Sequence, residues 1–160
     1  MSSSRDIAKE MVNRSIDLAL MNNDNRYLMD FVKVHKLLYL GYCHLLSEYN
    51  MELFEDDIYN TASGPYINGI GFITAQYGFG LLDNKIPDKD ADGFIYFTPS
   101  FSRGETIDFI LDRFGRLDTD EVVKVSKDIQ KQIGFEYNYE DLHARNLVDK
   151  AKLRVSVKDM

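Results

Sequence analysis

One stretch limits what this chain can become. Phe31, Val34, Leu38, Tyr42, Leu45 and Tyr49 step by 3, 4, 4, 3 and 4 residues, the spacing of one helix face. Leu37, Leu40, Cys43 and Leu46 fill the remaining sides. A helix that is apolar nearly all round has no face to give to water, so other elements must wrap it. The pattern therefore predicts a central buried helix over about residues 28–49. Its uncharged part, 37–47, falls well short of the roughly 20 apolar residues of a membrane span. The helix belongs in a protein core, and 160 residues is the size of one domain.

The remaining pattern supplies the wrapping. Ile7, Ala8, Met11, Val12, Ser15, Leu18 and Ala19 mark a first helix over 4–21. It breaks at Asn22-Asn23-Asp24-Asn25, residues that bond to the local backbone. Residues 57–62 read as extended. Ser63-Gly64-Pro65 is a chain break, and Ile67, Ile70 and Ile73 then suggest a short helix over 66–77. A loop over 78–92 leads to 93–98, a β-branched and aromatic run that makes the expected partner strand of 57–62. Ser102 with Glu105, and Asp118 with Glu121, have the spacing of capping boxes, with Gly115 and Gly134 as the stops. A last helix over 139–152 follows, and Leu153, Val155 and Val157 alternate like a terminal strand. The expected fold is mainly α. One compact helical domain spans 1–160 around the central helix. It has a small β element at about 57–62 and 93–98, and C-terminal helices over about 104–152.

Charge divides the chain unevenly. The net charge is −7, and residues 37–84 contain no Lys or Arg. They do contain Glu48, Glu52, Glu55, Asp56, Asp57 and Asp83, together with six of the ten tyrosines. Tyrosine adds rigid contact area with a polar tip, and charge of one sign steers a partner of the other. Glu52, Glu55, Asp56, Asp57, Tyr59 and Tyr66 are therefore the expected partner-binding residues, and the partner should carry a basic surface. An acidic chain is a poor general coat for DNA or RNA. Arg145, Lys150, Lys152, Arg154 and Lys158 form the one basic run, diluted by Asp149 and Asp159. No nucleic-acid partner is expected beyond weak operator contact in operon autoregulation.

No arrangement of reactive side chains stands out. Metal sites need His, Cys and carboxylates converging at set spacings. His35, Cys43, His44 and His143 offer no such spacing. Cys43 lies in an apolar helix with an acidic flank, which disfavours a thiolate nucleophile. Gly78-Phe79-Gly80 lacks the remaining parts of a phosphate cradle. No catalytic residue, metal or cofactor is expected, and the reading is a binding protein rather than an enzyme. A pocket joining His35, Tyr39 and a carboxylate would reverse it. No signal-like apolar run follows the N-terminus, and a lone cysteine suits a reducing compartment, so the expected location is the cytoplasm, with no membrane contact. The oligomeric state is left open.

The motif core, about 32–78, carries a resemblance. It reads Lys33-Val34-His35-Lys36-Leu37-Leu38-Tyr39-Leu40-Gly41-Tyr42, then Leu53-Phe54-Glu55-Asp56-Asp57-Ile58, Gly64-Pro65-Tyr66-Ile67 and Gln76-Tyr77-Gly78. This resembles the Panacea domain of SocA-like, phage-associated antitoxins. Lys36, Leu37, Leu38, Tyr39, Phe54, Gly64 and Pro65 fall on that family's motif, as fold or interface residues. The resemblance implies a small, mainly helical, non-catalytic protein of bacteria or prophages that neutralises a cognate toxin by direct contact. The alternative is a phage-encoded inhibitor or adaptor that binds a host protein, imitating nucleic acid with its acidic face.

Overall fold

The computed structural model of the chain describes residues 2–61, 64–87, 99–134 and 146–160. Its architecture is mainly helical with a small antiparallel sheet. Helix α1 (Ser4–Asn22) is capped by Ser3, whose side chain accepts from the Asp6 N–H. It ends at Asn23, in the left-handed conformation that Asn tolerates. Helix α2 (Phe31–Tyr49) starts at an Asp30 cap and ends at left-handed Asn50. Every residue from Lys33 to Leu46 is buried, as an all-round apolar helix requires. Its packing neighbours are α1, α4 (Phe101–Phe114), α5 (Thr119–Ile133) and the sheet. Tyr39, Tyr42 and Phe54 are the largest fully buried side chains of this core.

Strand β1 (Ile58–Thr61) matches the extended segment expected there. The expected partner, 93–98, lies outside the described residues. The observed partners are β2 (Gly64–Ile67) and β3 (Asn146–Leu147), in the order β2-β1-β3. Strand β2 replaces the first part of the helix expected over 66–77; only α3 (Phe72–Tyr77) is helical. Ile67, Ile70 and Ile73 are all fully buried, but from a strand, a turn and a helix. Their spacing of three therefore imitated a helical face. Gly64 and Gly69, at φ +101° and +95°, set the chain direction on either side of β2.

The capping box of α5 is present: Asp118 accepts from the Glu121 N–H, and the Glu121 side chain accepts from the Asp118 N–H. Gly134 is left-handed at φ +75°. The box expected at Ser102 and Glu105 is absent, because α4 begins at Phe101 and Ser102 lies inside it. Gly115 ends α4 without a left-handed turn. Its small size serves packing instead, since a Cβ there would come within 3.0 Å of Tyr27 Cδ1. Of the last helix expected over 139–152, residues 139–145 lie outside the described residues, and 146–149 are not helical. The chain pairs as β3, forms a 3-10 turn over Lys150–Leu153 capped by Asp149, and then runs irregularly. Leu153 and Val157 are fully buried, so the expected terminal strand was an alternation of buried plugs.

Candidate functional site

The sheet sets out the expected partner-binding residues. Tyr59 pairs with Tyr66 and, on its other side, with Leu147. Residues directly opposite one another in antiparallel strands share a face. Ile58 and Ile67, one residue along, turn inward and are fully buried. Leu147, Tyr59 and Tyr66 therefore form a row across the outer face, with Leu147 64% exposed. The row continues in a chain of rings. Tyr66 meets His35 edge-on at 5.3 Å, His35 meets Phe31 at 5.6 Å, and Phe31 meets Phe79 at 6.2 Å. Phe79 is 73% exposed.

His35 holds the outer edge of β2. Asn68 donates its N–H to Asp57, so the donors at 64, 66 and 68 point towards β1 and those at 65 and 67 point away. Pro65 has no N–H to offer. Ile67 donates its N–H to His35 Nε2 at 2.9 Å. Burial, with Lys36 adding to it, pulls the His35 pKa down to about 3 and keeps the ring a neutral acceptor.

The four acidic residues divide by role. Glu55 and Asp57 are exposed and take part in no ion pair among the described residues. Asp56 accepts from the Ser4 N–H at the start of α1, where a carboxylate also suits the helix dipole. Glu52 accepts from the Tyr42 hydroxyl at 2.8 Å and pairs with Lys150 at 3.3 Å. Glu52 and Asp56 are thus occupied within the chain. Lys150 also donates to the Glu55 carbonyl and sits over the rings of Tyr42 and Phe54. Lys158 pairs with Glu48, and Arg154 donates to the Leu46 carbonyl. The one basic run of the sequence folds back on the acidic segment, a pairing that sequence reading missed because some hundred residues separate the partners.

The family-like motif residues lie mostly inside. Leu37, Leu38, Tyr39 and Phe54 are fully buried. The Tyr39 hydroxyl lies beside the Cys43 thiol, and burial pushes that thiol up to about 12, far from a nucleophile's range. His35 and Tyr39 do not open onto a common pocket: the His35 acceptor is taken and Tyr39 has no exposed surface. Lys36 is buried beside the Gly64-Pro65 segment. A Cβ on Gly64 would come within 3.3 Å of Lys36 Nζ and 2.7 Å of Gln130 Nε2, so glycine fits there by both space and backbone. Among the described residues no cluster of His, Cys, Asp and Glu is arranged to hold a metal, and no helix is long and apolar enough to cross a membrane. Comparison with family models, with curated proteins and with solved structures gave no match.

Proposed function

We propose that this chain is a non-catalytic binding protein, the antitoxin of a toxin–antitoxin pair, that neutralises its toxin by direct contact. The observation that carries the reading is the outer sheet face. Leu147, Tyr59 and Tyr66 form a half-apolar row, and the carboxylates of Glu55 and Asp57, which join no ion pair among the described residues, stand where β1 begins. Rigid aromatic anchors beside charge of one sign suit a protein partner with a basic rim. The likeness of residues 32–78 to the Panacea motif supplies the choice of an antitoxin among binding proteins.

Internal pairing bears on the competing reading. A mimic of nucleic acid needs a broad field of one sign. Here Lys150 and Lys158 cancel Glu52 and Glu48, which leaves Glu55 and Asp57 as a local feature. The same pairing takes two lysines away from contact with operator DNA. Co-expression with each flanking gene tests the proposal: one product should be toxic alone and harmless in complex. Changing Glu55→Lys and Asp57→Lys together should weaken that complex by about 10-fold or more and flatten its salt dependence. An unchanged affinity and salt slope would remove this face from the interface.

A further inference from the structure

The Lys150 ammonium fills a pocket whose walls are set without its help. It lies 5.3 Å from the centre of the Tyr42 ring and 5.9 Å from that of Phe54. It donates to Glu52 Oε1 at 3.3 Å and to the Glu55 carbonyl at 3.1 Å. Tyr42 and Phe54 are fully buried and tilt against each other at 5.0 Å. The Tyr42 hydroxyl donates to the same Oε1 that takes Lys150. Arg103, in the first turn of α4, donates from Nε to the Glu52 and Leu53 carbonyls at 3.2 Å each, and the Glu55 N–H donates to the Ser2 carbonyl at 3.1 Å. Two ring faces, one carboxylate oxygen and one carbonyl thus surround a single point. An ammonium, a compact charge with three rotatable donors that is drawn to ring faces, suits such a point. A guanidinium is planar and pairs best with both oxygens of a carboxylate, whereas both contacts here fall on Oε1.

Lys150 holds the pocket lightly. Its pair with Glu52 is 3.3 Å long, against 2.7 Å for Arg14–Glu10, Arg26–Asp24 and Lys85–Asp17. Its side chain is 19% exposed, and its flexible stem can carry the ammonium into water while the buried Val148 and Leu153 stay in place. Glu55, whose carbonyl forms part of the pocket, has an exposed side chain, as has Asp57 two residues on.

We propose that the pocket of Tyr42, Phe54, Glu52 and the Glu55 carbonyl is a lysine-binding site, in which Lys150 stands in for a lysine of the partner. The partner in question rests on the binding reading above. Glu55 and Asp57 draw a basic surface to this end of β1, and one of its ammonium groups takes the place of Lys150, which turns out to solvent. Exchanging one ammonium for another keeps the charge of the pocket balanced. An internal ligand acts at an effective concentration of about 1 mM or more, so a lone lysine competes poorly and a basic surface with several contacts competes well. The C-terminal run is then a built-in competitor of the partner.

The test is an NMR titration of the whole chain with trilysine amide. In the parent, the Lys150 ε-methylene signal lies between two rings and should be displaced from the ordinary lysine position. Saturation with the probe should return it there. Lys150→Ala should bind the probe about 5-fold more tightly than the parent. Lys152→Ala removes the same charge from an exposed neighbour and should change binding by less than about 2-fold. Adding Glu52→Gln to Lys150→Ala should abolish the gain, and triarginine amide should show less than about a 2-fold gain from Lys150→Ala. A probe that does not saturate, a Lys150 signal that stays ring-shifted while the probe binds, equal gains from Lys150→Ala and Lys152→Ala, or a gain that survives Glu52→Gln would overturn the proposal. The ring-shift measurement uses the parent chain and so does not depend on any variant folding. It needs no toxin either: failure of every flanking product to bind would remove the antitoxin reading alone.

Discussion

His35 does more for this fold than its place on an apolar helix suggests. Its Nε2 accepts the one outward N–H of β2 that Pro65 does not remove, and only the neutral ring can do so. A histidine whose folded pKa lies below its unfolded value takes up a proton more readily when unfolded. Its stabilising share is complete above the unfolded value of 6.5 and is lost as pH falls towards about 3. Between pH 6.5 and 5 that loss is on the order of 2 kcal/mol. Glutamine can accept the same N–H without titrating. His35→Gln should therefore stay close to the parent at pH 7 and outlast it at pH 5, as read from urea midpoints at both values. At the same scale, Leu38 and Tyr42 were legible as core because periodicity reports burial. The hydrogen bond of His35 was not, because nothing in a one-dimensional pattern says which backbone donor will arrive beside it.

Among the elements, α2 carries the core. Leu38→Ala should cost about 2–5 kcal/mol in denaturant unfolding, since its closed surroundings leave a cavity that cannot fully collapse. The two candidate capping boxes give a sharper comparison. Asp118→Ala should lower stability by about 1 kcal/mol, while Ser102→Ala, inside α4, should stay within about 0.5 kcal/mol. Matching losses at the two sites would contradict the observed start of α4. Spacing alone could not separate them, because a capping box is real only where the chain also enters the helix at that residue. Long periodic helices were readable for the converse reason: α1, α2 and α5 repeat their signal over several turns. Strand β2 is four residues long and β3 two, and their identity comes from pairing with β1 rather than from their own sequences.

For the whole molecule, the decisive feature is the return of the C-terminal run to the acidic segment. Lys150 joins Glu52, the Glu55 carbonyl and two rings, and Leu153 and Val157 anchor the segment in the core. Lys150→Ala should cost roughly 1–3 kcal/mol at low salt and less at high salt. Hydrogen exchange should show its earliest effect at the amides of 146–150. Equal losses at both salt concentrations would mean that the lysine acts by packing alone. The sequence showed the −7 balance and its concentration in one segment, but not that the segment is partly neutralised at home. Charge maps record order along the chain, and this pairing depends on closure of the fold.

The β2 edge has a consequence for association. A strand arriving there finds only acceptors: Pro65 has no hydrogen to give, and that of Ile67 is already given. The molecule is therefore self-terminating on that side, and chains stacking through their sheets cannot grow across it. Acid removes the stopper. Once His35 takes a proton it becomes a second donor facing the Ile67 N–H, and the two must part. Light scattering of concentrated protein should accordingly stay flat at neutral pH and rise near pH 3. His35→Gln should resist that transition, so one imidazole decides whether this edge stays shut or turns sticky.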